Sequence, residues 1–136
     1  MSEDDAEVIR ALAELWNSGE RRVERLAQYL DPAIRLESPL SSLSGEPYRG
    51  YAGVERWARD LDDQFSEWVI TVEELSTIDD RVLTSGKINA RGRASGLTLE
   101  FTAASVSHFT GDHRVARIHI YSDVEEALKA VGRASR

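Results

Sequence analysis

Three residues near the end of the chain have types that could do acid–base chemistry. His119 stands between Arg117 and Tyr121 in Arg117-Ile118-His119-Ile120-Tyr121. An imidazole titrates near neutral pH and can serve as a general base, with a guanidinium two positions away to answer developing charge. Glu37, in Ile34-Arg35-Leu36-Glu37-Ser38, is the second candidate. Both depend on orientation, because a strand turns alternate side chains to opposite faces. His108 alternates outward from Ser107 and Phe109, and His113 falls in a turn, so both read as solvated. No His-x-His, His-x₃-His or Glu-x-x-His pattern is present, Asp60, Asp62 and Asp63 read as the wet face of a helix, and no metal or other cofactor is expected. Cysteine is absent, which excludes disulfides, thiolate catalysis and zinc–cysteine sites.

The elements that must position these residues are written in apolar spacing. Arg81 to Asp123 reads as three strands in an antiparallel meander, with Leu97, Leu99, Phe101 and Ala103 opposed to Thr98, Glu100 and Thr102. In the last strand Ile118 and Ile120 oppose Arg117, His119 and Tyr121. That alternation turns His119 outward if the apolar face is concave; a bulge would reverse it. Glu37 opposes Ile34, Leu36 and Ser38, and turns inward only if its strand shifts by one residue. The segments 81–93 and 97–110 are about twice the usual strand length, so the sheet should bend, most easily at Gly86 and Gly92.

Helices are expected at 4–18, 20–30 and 52–66, a short strand at 33–38, a strand at 67–75, a loop over 39–48, and a last helix capped by Asp123 and Glu126 and ended by Gly132. The third helix carries a stripe of Val54, Trp57, Ala58, Leu61 and Phe65. A helix laid across a curved sheet leaves a pocket. Its expected wall is Leu12 and Trp16 from the first helix, Trp57 and Leu61 from the third, and Leu36 and Ser38 from the first strand. The long strands add Phe101, Ala103, Ser105 and Ser107, and Ile118 with Ile120.

One domain is expected over 1–136, with a core at about 6–132. Seventeen Lys and Arg against 24 Asp and Glu leave a net charge of −7, which disfavours nucleic acid and anionic membranes as partners. The opening MSEDDAEVIR has neither a basic nor an apolar leader region, and no segment reaches membrane-spanning length, so a cytoplasmic location is expected.

Helix, helix, strand, loop, helix and four antiparallel strands resemble the nuclear transport factor 2-like superfamily. Asn17-Ser18-Gly19, Arg49-Gly50-x-x-Gly53-Val54, Gly92-Arg93-Ala94-Ser95-Gly96 and Ile120-Tyr121-Ser122-Asp123-x-Glu125-Glu126-Ala127-Leu128 are similar to its SnoaL-like branch. The resemblance implies an α+β fold, a cone-shaped curved antiparallel sheet wrapped around helices. It implies no single activity, since the fold hosts isomerases, cyclases, hydrolases and binders. The ketosteroid isomerase base position is Ser38, its oxyanion-hole positions are Ser107 and Leu12, and the acid of SnoaL-type polyketide cyclases maps to Ile120. None of these side chains replaces a general acid or base.

Three functions follow as expectations. One is binding of a small hydrophobic molecule, polyketide- or terpenoid-like, in the conical pocket. A second is a cyclase, isomerase or hydrolase using His119 or Glu37. The third is a dimeric interaction module. The outward face, with Lys87, Asn89, Thr102, Ala104, Val106, Arg117, His119 and Tyr121, suits a homodimer contact.

Overall fold

Apolar spacing of three and four residues produces the helix α1, Ser2–Asn17, whose Ile9 and Trp16 are buried. The computed structural model describes residues 2–18, 23–37, 48–78, 81–121, 125–127 and 129. After α1, the described part of the expected second helix holds a single turn, α2, Val23–Leu26, and a 3₁₀ turn, Ala27–Tyr29, before the chain becomes extended at Leu30. Strand β1, Leu30–Glu37, therefore begins three residues before the expected start at 33, ahead of Pro32. Leu30 is already extended, at φ −115° and ψ 140°, and its side chain is buried. The chain passes Pro32 through an irregular stretch, where the Asp31 carboxylate accepts the Ala33 N–H at 2.9 Å and the ladder resumes at Arg35.

A two-residue strand β2, Tyr48–Arg49, pairs with β1 where a loop residue was expected, and leads into α3, Gly50–Gln64. Phe65 belongs to the next strand and not to the stripe of α3, because the backbone is already extended there. Strands β3, Phe65–Ile78, β4, Arg81–Gly92, β5, Thr98–Phe109, and β6, Val115–Tyr121, form the meander. The sheet order is β2-β1-β6-β5-β4-β3, antiparallel throughout except that β1 lies parallel to β6.

The bend in this sheet has a local cause. Val72 pairs with Gly86 and Glu74 with Ser85, so Glu73 is an extra residue in β3. A Cβ at Gly86 would stand 1.9 Å from the Thr71 carbonyl oxygen, and only glycine allows that approach. Gly96, at φ +71°, turns β4 into β5.

The main core lies between α1, α3 and the concave face, and includes Ile34, Leu36, Val54, Trp57, Trp68, Val82 and Phe109. A second cluster lies on the convex face, where Leu83, Ala104 and Val106 pack with Tyr121 and with Ala127 of a helical stretch at Glu125–Ala127. The expected capping residues Asp123 and Gly132 lie outside the described residues.

Candidate functional site

Between the helices and the concave face is a cavity of ≈160 Å³. Helical spacing on α1 turns Ile9, Leu12, Ala13 and Trp16 to it, and Val54 and Trp57 come from α3. The two indole rings lean together at 4.6 Å between centroids. Strand alternation supplies the floor: Leu30, Ile34 and Leu36 from β1, Ile118 and Ile120 from β6, Ser105 and Ser107 from β5, Thr84 from β4, and Ile70 and Val72 from β3. Leu26 completes the described wall. A neighbouring hollow of ≈90 Å³ shares Ile70, Val72, Thr84, Ser105 and Ile120 with it. Among the described residues lining the larger cavity none carries a carboxylate, imidazole, amine or guanidinium.

Leu12, Trp16, Leu36, Trp57, Ser105, Ser107, Ile118 and Ile120 are thus brought together around one space. Three expected wall residues are not on it. Leu61 is buried in the core one turn beyond Trp57. Phe101 stands farther along β5, its ring 6.0 Å from that of Trp68, which in turn lies 4.9 Å from Phe65. Those three aromatics pack together and none of them lines the cavity. Ala103 lines the smaller hollow. Ser38 lies outside the described residues.

Sequence reasoning missed Ile9, Leu30, Val54, Ile70, Val72 and Thr84, among others. Most share a face with residues that were named, so periodicity could have found them. Thr84 is different: it enters through its pairing with Ser105, a register that no local pattern prints.

His119 and Glu37 point away from the cavity, on the convex face, where β1 and β6 pair them directly. Neither a bulge nor a one-residue shift turns them inward. Arg117 Nε donates to Glu37 Oε1 at 2.9 Å, and the Arg35 guanidinium lies 3.3 Å from Oε2. The Nδ1 of His119 is 3.2 Å from Oε1, but its direction does not make a hydrogen bond. Burial works against ionisation of Glu37, yet the Arg117 hydrogen bond, with the charges of Arg117, His119 and Arg35, outweighs it and holds the carboxyl below its ordinary range. Tyr121 stacks on His119 with centroids 4.2 Å apart, and burial pushes its phenol up.

His113, expected to be solvated, instead holds the β5–β6 turn to α1, with Nδ1 2.9 Å from the buried Asp5 carboxylate. Tyr48 is core, its hydroxyl donating to Asp60 at 2.7 Å, and Tyr51 donates to the Leu30 carbonyl at 3.1 Å. Neither lines the cavity. No group of three His, Cys, Asp or Glu among the described residues is placed to hold a metal ion. No helix among them is long and apolar enough to cross a membrane.

A curled sheet closed by helices around an apolar hollow defines a nuclear transport factor 2-like protein, and solved structures agree. A protein of that fold and unknown function from Burkholderia pseudomallei is 17% identical, with 95% of this chain and 97% of that one covered, at a TM-score of 0.77. A candidate SnoaL-like polyketide cyclase from Jannaschia sp. CCS1 is 14% identical, with 96% and 93% covered, at 0.78. TerC, crystallised with polyporic acid, is 17% identical, with 93% and 96% covered, at 0.76. The SnoaL-like domain family matches residues 9–118, and the chain belongs to that family. No curated protein matches it.

Proposed function

We propose that this SnoaL-like protein binds a small hydrophobic molecule, polyketide- or terpenoid-like, in the cavity between α1, α3 and the sheet. The observation that carries the reading is the wall itself, an apolar hollow with a few hydroxyls and two indoles. Neighbours of the same fold add support of their own, one a candidate polyketide cyclase and one crystallised with polyporic acid.

Acid–base catalysis in the cavity is the weaker reading. Its two candidates, His119 and Glu37, belong to the ionic cluster on the opposite face. The same proposal includes a cytoplasmic setting and pairing of two copies through the convex face, where arginine, histidine and tyrosine side chains make a mixed surface of the kind interfaces favour.

Tryptophan emission tests the binding reading. The chain has three tryptophans, and Trp68 lies outside the cavity wall, so a Trp68→Phe variant reports on Trp16 and Trp57 alone. Saturation with methylenecyclohexane is expected to shift that emission and to raise the melting temperature. If neither moves, the cavity is not a ligand site.

A further inference from the structure

A ladder of basic side chains crosses the convex face. Arg49 of β2, Arg35 of β1, Arg117 of β6, His108 of β5 and Arg81 of β4 are each the direct cross-strand partner of the next. Beside them in the chain stand Tyr48, Leu36, Ile118, Ser107 and Val82, which turn inward, so all five basic side chains project from the convex side. Like charges set directly opposite one another destabilise a sheet. The chain has acids in excess, at net charge −7, yet among the described residues one carboxylate, Glu37, is paired with these guanidiniums. One acid against four arginines leaves the row positive. It is also open: Arg49 is exposed, and the side chains of Arg35 and Arg117 are 43% and 42% exposed. A local cost of this kind has a use when a partner of opposite charge removes it.

The shape of the row narrows the partner. Neighbouring strands lie about 4.8 Å apart, so five positions span about 19 Å. A small anion would touch two of them and leave the rest unexplained. A nucleic-acid duplex or a membrane would extend past the row and meet the negative charge that prevails on the rest of the molecule. A second copy related by a two-fold axis would set the row against its own image. An α-helix repeats one face every turn, about 5.4 Å, close to the strand spacing, and about 13 residues of it cover the row. An extended strand repeats a face about every 6.6 Å and falls out of step. The guanidinium fork suits carboxylates, and the long arginine stem lets the outer members reach a straight partner from a curved face.

We infer that the row docks an acidic α-helix of a partner protein, whose carboxylates at i, i+4, i+7 and i+11 lie over the arginines. The row is open in a single copy and lies on the opposite face from the cavity, so neither a cavity ligand nor the pairing of two copies is needed.

The probe is a lactam-bridged helix of about 14 residues with glutamates along one face and an uncharged dye, titrated by fluorescence anisotropy at low salt. One comparator has glutamine at those positions. A second has the same glutamates spread around the helix. The proteins are the wild type, the double variant Arg49→Gln with Arg81→Gln, and the double variant Arg49→Lys with Arg81→Lys, which keeps both charges. Neither arginine lines the cavity, and the melting temperature of each variant reports its folding.

The one-faced acidic helix is expected to bind the wild type, to lose about fivefold in the glutamine variant, the worth of two exposed ion pairs, and to keep most of its affinity in the lysine variant. Its affinity should fall as salt rises. No binding at low salt, equal binding by the glutamine helix, or unchanged binding to the glutamine variant overturns the site. Equal binding by the helix with spread glutamates overturns the match between one helix face and the row. A single-stranded oligonucleotide of equal charge that binds more tightly than the helix makes the partner a nucleic acid and overturns the inference.

Discussion

Glu37 is placed to join strands. Its two carboxylate oxygens reach Arg117 on β6 and Arg35 on its own strand, so one ionised side chain ties the parallel pair β1–β6 across the convex face. The side chain is 20% exposed, and bonds of this kind to a charged, largely buried group matter more than surface pairs. Glu37→Gln is expected to lower unfolding stability by about 1–3 kcal/mol at neutral pH. The folded carboxyl titrates below its unfolded value of 4.5, so its contribution is complete above that value. It disappears as the pH falls through the lower folded value, once the native carboxylate takes up its proton. Urea unfolding of the two proteins at neutral pH and at successively more acid pH should therefore show curves that are separated and then converge. A constant gap down to strongly acid pH would mean that the charge of Glu37 is not what stabilises the pair.

Among the elements, α1 has a docking device that its helical spacing does not advertise. The side chain of Asn17, its last residue, donates to the Ile70 carbonyl at 2.7 Å and accepts the Ile70 N–H at 2.9 Å. β3 is an edge strand, so the amide takes the place of a further strand there and fixes the helix that carries Leu12 and Trp16 over the cavity. Asn17→Ala should lose about 1–2 kcal/mol, two net hydrogen bonds, and weaken ligand binding as the roof loosens. Asn17→Ala with unaltered stability would show that packing alone seats α1. The sequence shows Asn17 near the end of the first helix, in the Asn17-Ser18-Gly19 motif, with no sign of its partner Ile70. Ile118 and Ile120 against Arg117, His119 and Tyr121 could be sorted by face because period two is a local property of the chain. The start of β1 at Leu30, the short β2 and the pairing of Thr84 with Ser105 are settled by contacts between distant segments. Leu61, Phe101 and Ala103 show the same divide. Their inward direction was legible, but whether an inward residue meets the hollow or the packed core depends on how the whole sheet closes.

At the scale of the whole molecule, charge is distributed against the net value. Arg49 on β2, Arg35 on β1, Arg117 on β6, His108 on β5 and Arg81 on β4 stand directly across from one another, forming a basic row over the convex face of a protein with net charge −7. Neighbours in such a row are about 4.8 Å apart, and like charges set side by side oppose one another. Glu37, in the next row, answers two of them. Part of the face expected to pair two copies is also occupied, since Ala104 and Val106 are only 3% exposed beneath Tyr121 and Ala127. A two-fold dimer through the remainder brings two basic rows within reach of each other on protomers that already repel overall. Sedimentation equilibrium at micromolar concentration should then find a dimer whose dissociation constant falls several-fold from low to physiological salt, because added ions screen both repulsions. Arg49→Gln, which removes one charge from the end of the row, should tighten the dimer at low salt and blunt that response. A monomer at both salt concentrations removes the dimer, and a dimer that loosens with salt and ignores Arg49→Gln puts the contact on another face.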